Sequence, residues 1–462
     1  MREINLSADE LVAALLNLAD ERNVCILDSC GVKNLGSHLL IAGINPVETL
    51  EISNENPNDS LKILDEKLSQ TDLACIFTIS YDFGLKLENI KSRKKEFSAF
   101  DEPDLFLAFF DCLVVHDYNL HKSYLVGNEE KFDEIDKVLL NVCAFRTSIK
   151  QNRVAQVSSN FTRKNYIAAI EQIKEQIRQG NTYQANLTQQ LRSQLPKNLT
   201  PQEIFHRLRK NHPAPFAAFL KRKNDFVVSI SPERFFKVQS PKSKVQSSII
   251  ETSPIKGTRP RGNTKEKDLQ LKNELLASEK DRAENVMIVD LLRNDLGRIC
   301  RFGSVEVVKL FDLEEHPTLF HLVSTIKGEL HENLNLSDII RAVFPCGSIT
   351  GAPKIRTMQI IDEIETAPRG LSMGAIGFSS PKSKVQNLTS ENKNDFGLWT
   401  LDFGLGVFDL SVAIRTMVIK DNQAIFNVGG GIVIDSIPEQ EYEESMLKAK
   451  ALINAIGGKF IS

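Results

Sequence analysis

From Thr162 to its C-terminal end the chain alternates between helical and strand periodicity, and that alternation most constrains how it can fold. Tyr166, Ile170, Ile173 and Ile177 recur at helical spacing, and Gly180 follows as a C-terminal cap. Thr182-Tyr183-Gln184-Ala185-Asn186-Leu187 then alternates as a strand. The segment 281–295 reads as a helix with an apolar stripe at 283, 287, 288, 291 and 292. Residues 410–418 read as a strand bearing Arg415, the run Gly429, Gly430, Gly431 as a loop, and 439–444 as the start of an acidic helix. Residues 1–150 mix short apolar runs with charged loops, again strands and helices in alternation, and 147–162 reads as a polar linker.

Composition narrows the class. Of 462 residues, 42% are hydrophobic and 25% charged, which suits a globular protein that needs no disulfide staple. A net charge of −3 gives no basis for a nucleic acid or an anionic membrane as partner, so an anionic ligand must be held by local cations. Seven cysteines stand at 25, 30, 75, 112, 143, 300 and 346, an odd number without CxxC spacing. They point to idle thiols in a reducing compartment, hence to a cytoplasmic protein. The first residues read as an amphipathic helix, not a signal peptide, and no apolar run approaches membrane-spanning length.

Several segments carry candidate chemistry. Lys256 lies in the turn Ser253-Pro254-Ile255-Lys256-Gly257-Thr258, with Arg259 and Arg261 close behind. Glu284 falls at the edge of an apolar stripe, where a carboxylate needs a cation; Arg282 and Lys280 are alternative surface partners. Glu441 and Glu444 share a helix face, and with Glu284 they fit a Mg²⁺ site. Acidic first turns that complement a helix dipole explain the same residues. The loop 345–354 precedes a helix running to about Glu365, and its backbone suits a carboxylate, as does the triglycine run. Ordinary turns account for both glycine-rich segments equally well. Arg415 reads as a structural ion pair or as a bidentate carboxylate clamp. His321 lies among apolar residues, where a hydrogen-bonded core histidine is the commoner outcome. The repeat Ser-Pro-Lys-Ser-Lys-Val-Gln at 240–246 and 380–386 reads as a duplicated insertion into two surface hairpins.

Taken in order, these segments resemble the chorismate-utilising enzymes over 162–458, most specifically the branch that aminates chorismate. The matching pieces include Asn211-His212-Pro213-Ala214-Pro215-Phe216, Ser231-Pro232-Glu233-Arg234-Phe235, the Lys256 turn, 281–298, His321-Leu322-Val323-Ser324, 347–354, Ile414-Arg415-Thr416 and the triglycine run. The resemblance implies an α+β fold, one αβ sandwich of two large antiparallel sheets flanked by helices, into which residues 1–150 are integrated. It implies Mg²⁺ held by Glu284 and Glu444, with Glu441 contacting it through water. Arg415, Gly429, Gly430 and Gly431 would hold the enolpyruvyl carboxylate, with Gln184, Thr258, Ser348, Gly351 and Ala352 as further substrate contacts. Phe378 stands where many relatives have Tyr. Glu233 would be the general acid at C4, and His321 would line the pocket.

Lys256 marks the branch, because anthranilate-forming relatives carry Ala there. The implied reaction has its amine attack C2 as the C4 hydroxyl leaves; ammonia then enters at C4 and expels the lysine. The product would be 4-amino-4-deoxychorismate, on the route to 4-aminobenzoate and folate. Attack requires a neutral amine, which burial or a nearby cation favours. Gln184 stands where water-using relatives place a lysine base, so ammonia is the expected nucleophile. A separate glutamine amidotransferase subunit would supply it. Tryptophan is a further candidate ligand near Leu27, Asp28 and Ser29. Two other readings are an anthranilate-forming enzyme and a non-catalytic relative; loss of Glu233, Glu284 or Glu444 would mark the latter, and all three are present.

Overall fold

The computed structural model describes residues 1–32, 35–93, 100–140, 154–239, 247–315, 319–380 and 408–460. Both copies of the repeat, apart from Ser380, lie outside the described residues, as does 147–153 of the expected linker.

Strands bury one face against each other and the other against helices. Among the described residues a thirteen-stranded and a ten-stranded sheet result. The described pairings are antiparallel except one, Gly458–Phe460 beside Ala155–Ser159. Cys25, Ile41, Leu113 and Leu220 of the larger sheet meet Ile76, Phe106, Phe110 and Ile376 of the smaller. Helices Ala8–Leu18, Pro201–Asn211 and Pro438–Ala455 cover the outer face of the larger sheet through Leu11, Phe205 and Leu452. Helices Pro57–Gln70, Glu279–Gly297 and Leu336–Val343 cover the smaller through Leu61, Ile288 and Ile340. The N-terminal region enters both sheets: Val24–Asp28 and Leu39–Ile44 join the larger, Ala74–Ile79 and Leu105–Phe110 the smaller. The fold is therefore the αβ sandwich that the resemblance implies.

Local signals hold where they are short-range. The Thr162 hydroxyl caps helix Arg163–Arg178, and Gly180 takes φ +75° just beyond it. Three expectations change. Residues 410–418 are not one strand: Phe408–Val412 belongs to the smaller sheet and Thr416–Lys420 to the larger. The chain crosses between them at 413–415, with Arg415 at φ +49°. The triglycine run is not a loop; it ends the strand Gln423–Ile432. In helix Glu279–Gly297 the buried stripe is Asn285, Ile288, Val289, Leu292 and Leu296, while Ala283 is exposed. Asn285 is tolerated inside because its Oδ1 accepts the Ser324 hydroxyl at 2.6 Å.

Strand Gln184–Gln194 pairs with Gln423–Ile432 from Ala185↔Ile432 to Gln194↔Gln423. A Cβ at Gly429 would lie 1.9 Å from the Leu187 carbonyl oxygen, whereas one at Gly430 would meet only the Lys448 Nζ, at 3.4 Å, and Glu441 Oε2. Gly429→Ala should therefore cost about 1–3 kcal/mol of stability, and Gly430→Ala within about 0.5 kcal/mol of none. Denaturant unfolding of the two variants checks this; equal costs would contradict the pairing.

Candidate active site

Lys256 is on a bulged strand, not in a free turn. Strand Ile255–Pro260 pairs Ile255↔Val323 and then Thr258↔His321, which leaves one extra residue on the Lys256 side. Gly257 takes φ +84°, and a Cβ there would crowd Leu275 and Asp281 at 2.9–3.1 Å. A bulge re-aims the side chains it carries. The neighbouring cations are neutralised: Arg259 pairs with Glu274 and Asp281, and Arg261 with Asp268. Lys256 makes no ion pair among the described residues. Its Nζ donates to the Ser348 carbonyl at 3.4 Å.

Two further groups meet this amine. A Cβ placed on Gly431 would lie 2.2 Å from Gln184 Nε2 and 3.6 Å from Lys256 Nζ. Glycine is thus what lets the amide and the amine face the strand. Gln184 is buried, and its Oε1 has no hydrogen-bond partner among the described residues. Glu233 follows strand Phe226–Ser231 and is 4% exposed; its Oε1 likewise lacks a partner. Burial pushes this carboxyl up to about 7, against the pull of Ser348, the Lys256 ammonium and the Ile255 N–H. A buried acid near neutrality with a spare oxygen can serve as a proton donor.

Thr258 and His321 share a 2.9 Å hydrogen bond between Oγ1 and Nδ1. His321 is buried in strand Leu319–Glu329. Gly351 and Ala352 pair with Ala185 and Gln184, and a Cβ at Gly351 would lie 2.0 Å from the Gln184 carbonyl oxygen. Gly351 therefore serves the backbone that seats Gln184.

Glu284, Glu441 and Glu444 gather around one cation, Lys280. Its Nζ lies 3.3 Å from Glu441 Oε1, which also accepts the Ser436 hydroxyl at 2.7 Å. All three carboxylates hold the Lys280 ammonium above its ordinary value against burial. Burial pushes Glu284 up, opposed by Lys256 and Lys280, whereas Lys448, 2.8 Å away, holds Glu444 down. Oxygen donors from two helices around a cation are the chemistry a hard divalent ion takes. Among the described residues, however, no three such side chains are drawn together closely enough to hold a metal ion. Lys280 was foreseen only as a surface partner of Glu284.

Arg415 is partly buried and makes no side-chain ion pair or hydrogen bond among the described residues; burial alone holds its guanidinium below the usual value. Met417 pairs with Phe426, so Arg415 and Val428 each lie two residues further along, at the triglycine end. A cation with no anion of its own there suits an anionic ligand. Phe378 is placed elsewhere. Strand Ala375–Ser379 turns Ile376 and Phe378 into the layer between the sheets. There Phe378 lines a cavity with Leu27, Asp28, Ser29, Phe216 and Arg234, apart from Lys256. Asp28 is already engaged, accepting from Tyr118 Oη at 2.7 Å, Arg209 Nε at 2.7 Å and the Cys30 N–H at 2.8 Å.

The family described as chorismate binding enzyme matches residues 23–388 and 398–454. The chain belongs to the chorismate-binding enzymes. It is 36% identical over 389 residues to aminodeoxychorismate synthase component 1 of Bacillus subtilis (strain 168), covering 82% of this chain and 76% of that one. It is 34% identical over 374 residues to anthranilate synthase component 1 of Aquifex aeolicus (strain VF5), covering 76% and 68%. Among solved structures it is similar to anthranilate synthase component I from Streptococcus pneumoniae TIGR4, with TM-score 0.74 and 27% identity over 91% of this chain and 93% of that one. As in its relatives, then, the chain is a chorismate-utilising enzyme. Among the described residues no helix is long and apolar enough to cross a membrane.

The raised Glu233 carboxyl has a testable sign. Between pH 4.5 and about 7 the folded state holds a proton that the unfolded state has lost, so stability falls as pH rises through that window. Glu233→Gln cannot titrate. Relative to wild type it should gain up to about 3 kcal/mol between the two ends of the window, read by urea unfolding. Parallel curves would contradict the burial of an acidic Glu233.

Proposed function

We propose that this chorismate-binding enzyme aminates chorismate at C4 to 4-amino-4-deoxychorismate, with Lys256 as covalent nucleophile. The observation that carries the reading is the Lys256 amine beside Gly431, Gln184 and the Ser348 carbonyl, while its arginine neighbours are neutralised. Relatives named for either activity are about equally similar, 36% and 34%. The lysine, not overall similarity, separates the two readings.

In this mechanism the Lys256 amine bonds to C2, both conjugated ring double bonds shift and the C4–O bond breaks. Glu233 gives the hydroxyl its proton, so it leaves as water. Ammonia then bonds to C4, and the C2–N bond to Lys256 breaks as both double bonds return. The proton shed by the incoming ammonia balances the one Glu233 gave. Arg415 and the backbone of the triglycine strand orient the enolpyruvyl carboxylate, and His321 with Thr258 walls the ring. Gln184 carries no base, which suits ammonia over water. Glu284, Glu441 and Glu444 are the residues that would hold Mg²⁺, for which they must close from their present spacing around Lys280; bound there, the ion would neutralise the ring carboxylate. The name "component 1" of the Bacillus relative supports a second subunit, which on this reading hydrolyses glutamine to supply the ammonia. Tryptophan remains a candidate ligand near Leu27, Asp28 and Ser29, which line a cavity.

The test supplies purified chain with chorismate, Mg²⁺ and ammonium, and follows product mass and pyruvate. A product that keeps the enolpyruvyl group, without pyruvate, is expected. Lys256→Ala should lower kcat by roughly 100-fold or more, and chelation of Mg²⁺ should abolish turnover. Prompt pyruvate with fluorescent anthranilate, or an undiminished Lys256→Ala variant, would refute the reading.

A further inference from the structure

A buried ion pair outside the reacting groups touches both walls of the site. Glu365 ends helix Lys354–Ile364, and Arg369 follows it after Thr366-Ala367-Pro368. Both side chains are buried, at 3% and 2% exposed. Arg369 grips Glu365 with two bonds, Nε to Oε2 at 2.9 Å and Nη2 to Oε1 at 2.7 Å. Its remaining donors reach backbone: Nη1 to the Ile349 carbonyl at 3.0 Å and Nη2 to the Asn186 carbonyl at 2.6 Å. Glu365 Oε1 in turn accepts the Thr188 N–H at 2.7 Å and its hydroxyl at 2.9 Å. The guanidinium lies 4.4 Å from the centre of the Tyr81 ring.

These contacts fall on selected residues. Ile349 follows Ser348, whose carbonyl receives Lys256. The Ile349 carbonyl also accepts Asn186 Nδ2 at 3.1 Å, and the Asn186 N–H donates to the Thr350 carbonyl at 2.7 Å. Asn186 and Thr188 stand opposite Gly431 and Gly429. One pair of charges thus fixes the loop that meets the lysine and the strand that backs the triglycine run. Taking such a pair out of water is costly, and an apolar pair of similar size is often as stable. Stability alone does not explain why this one is here.

We propose that Arg369 and Glu365 are positioning residues for the chemical step. Neither touches the reacting atoms. They set the Ser348 carbonyl and the Gln184–Gly431 wall against the Lys256 amine. The proposal rests on the reading of Lys256 above. It differs from a structural role in that it acts on kcat and on lysine reactivity.

The test compares Glu365→Leu/Arg369→Met and Arg369→Lys with wild type. Lysine keeps the charge but has no planar fork to span three acceptors. Chorismate consumption with ammonium is followed whichever product forms, so an error about the product does not confound the result. The rate at which acetic anhydride modifies Lys256, read by peptide mass, gives a measure independent of turnover. In Arg369→Lys, kcat should fall at least tenfold, KM for chorismate should stay within threefold, and Lys256 modification should change at least threefold. The double variant should show the same split, with a thermal midpoint lowered by the buried Thr188, Ile349 and Asn186 groups that it leaves without these partners. Unchanged kcat in Arg369→Lys, or a kcat loss matched by an equal rise in KM with unaltered Lys256 modification, would overturn the proposal. Should the double variant fail to fold, Arg369→Lys alone decides.

Discussion

The antiparallel pairing of Gln184–Gln194 with Gln423–Ile432 is the contact on which the site depends. It brings together the start of one strand and the end of another, 247 residues apart in sequence, so that Gln184 and Gly431 face the same amine. Side chains would prevent this approach. Gly429 admits the Leu187 carbonyl, Gly431 admits the Gln184 amide, and Gly351 lets its short strand close against Gln184. Helix Pro438–Ala455 leaves directly after this pairing and carries Glu441 and Glu444 toward helix Glu279–Gly297. The acidic cluster is thus placed by the same strands that present Gln184 and Gly431 to the lysine.

Charge is distributed unevenly across this frame. The arginines flanking Lys256 are neutralised by helix carboxylates, while Lys256, Gln184 Oε1, Glu233 Oε1 and Arg415 have hydrogen-bonding or ionic capacity left over. Buried polar groups are ordinarily satisfied. Four such groups around one strand end suit a place that a ligand completes, and on the proposed reading they divide its work: Arg415 for a carboxylate, the Lys256 amine for attack, Glu233 for the leaving oxygen and Gln184 as the neutral amide.

Much of this was legible in the sequence, because the residues sit in short motifs whose spacing survives folding. Glu233, Lys256, Ser348 and the triglycine run were singled out and converge. What could not be read depends on register across strands. The Lys256 bulge exists only against Val323 and His321. The break at Arg415 appears only because its two flanking strands pair in different sheets. Phe378 lies on the far side of its strand because Ile376 and Phe378 share the inter-sheet face, and no local pattern reveals which face of a fully apolar strand meets which layer. Glu365 and Arg369 flank a proline after a helix and give no periodic signal; their importance lies in the backbone groups they meet. Lys280 stays half exposed, as a surface partner of Glu284 should be, but Glu441 and Glu444 of a distant helix join Glu284 of its own helix around it only in the fold.

The central claim is that Lys256 itself bonds to the substrate. The most direct measurement is the mass of the Lys256 peptide after chorismate and Mg²⁺ are added without ammonium and the mixture is quenched in acid. The expected result is a gain equal to chorismate less one water, confined to Lys256 and discharged when ammonium is added before the quench. A peptide of unchanged mass, in enzyme that turns over fully once ammonium arrives, would contradict it.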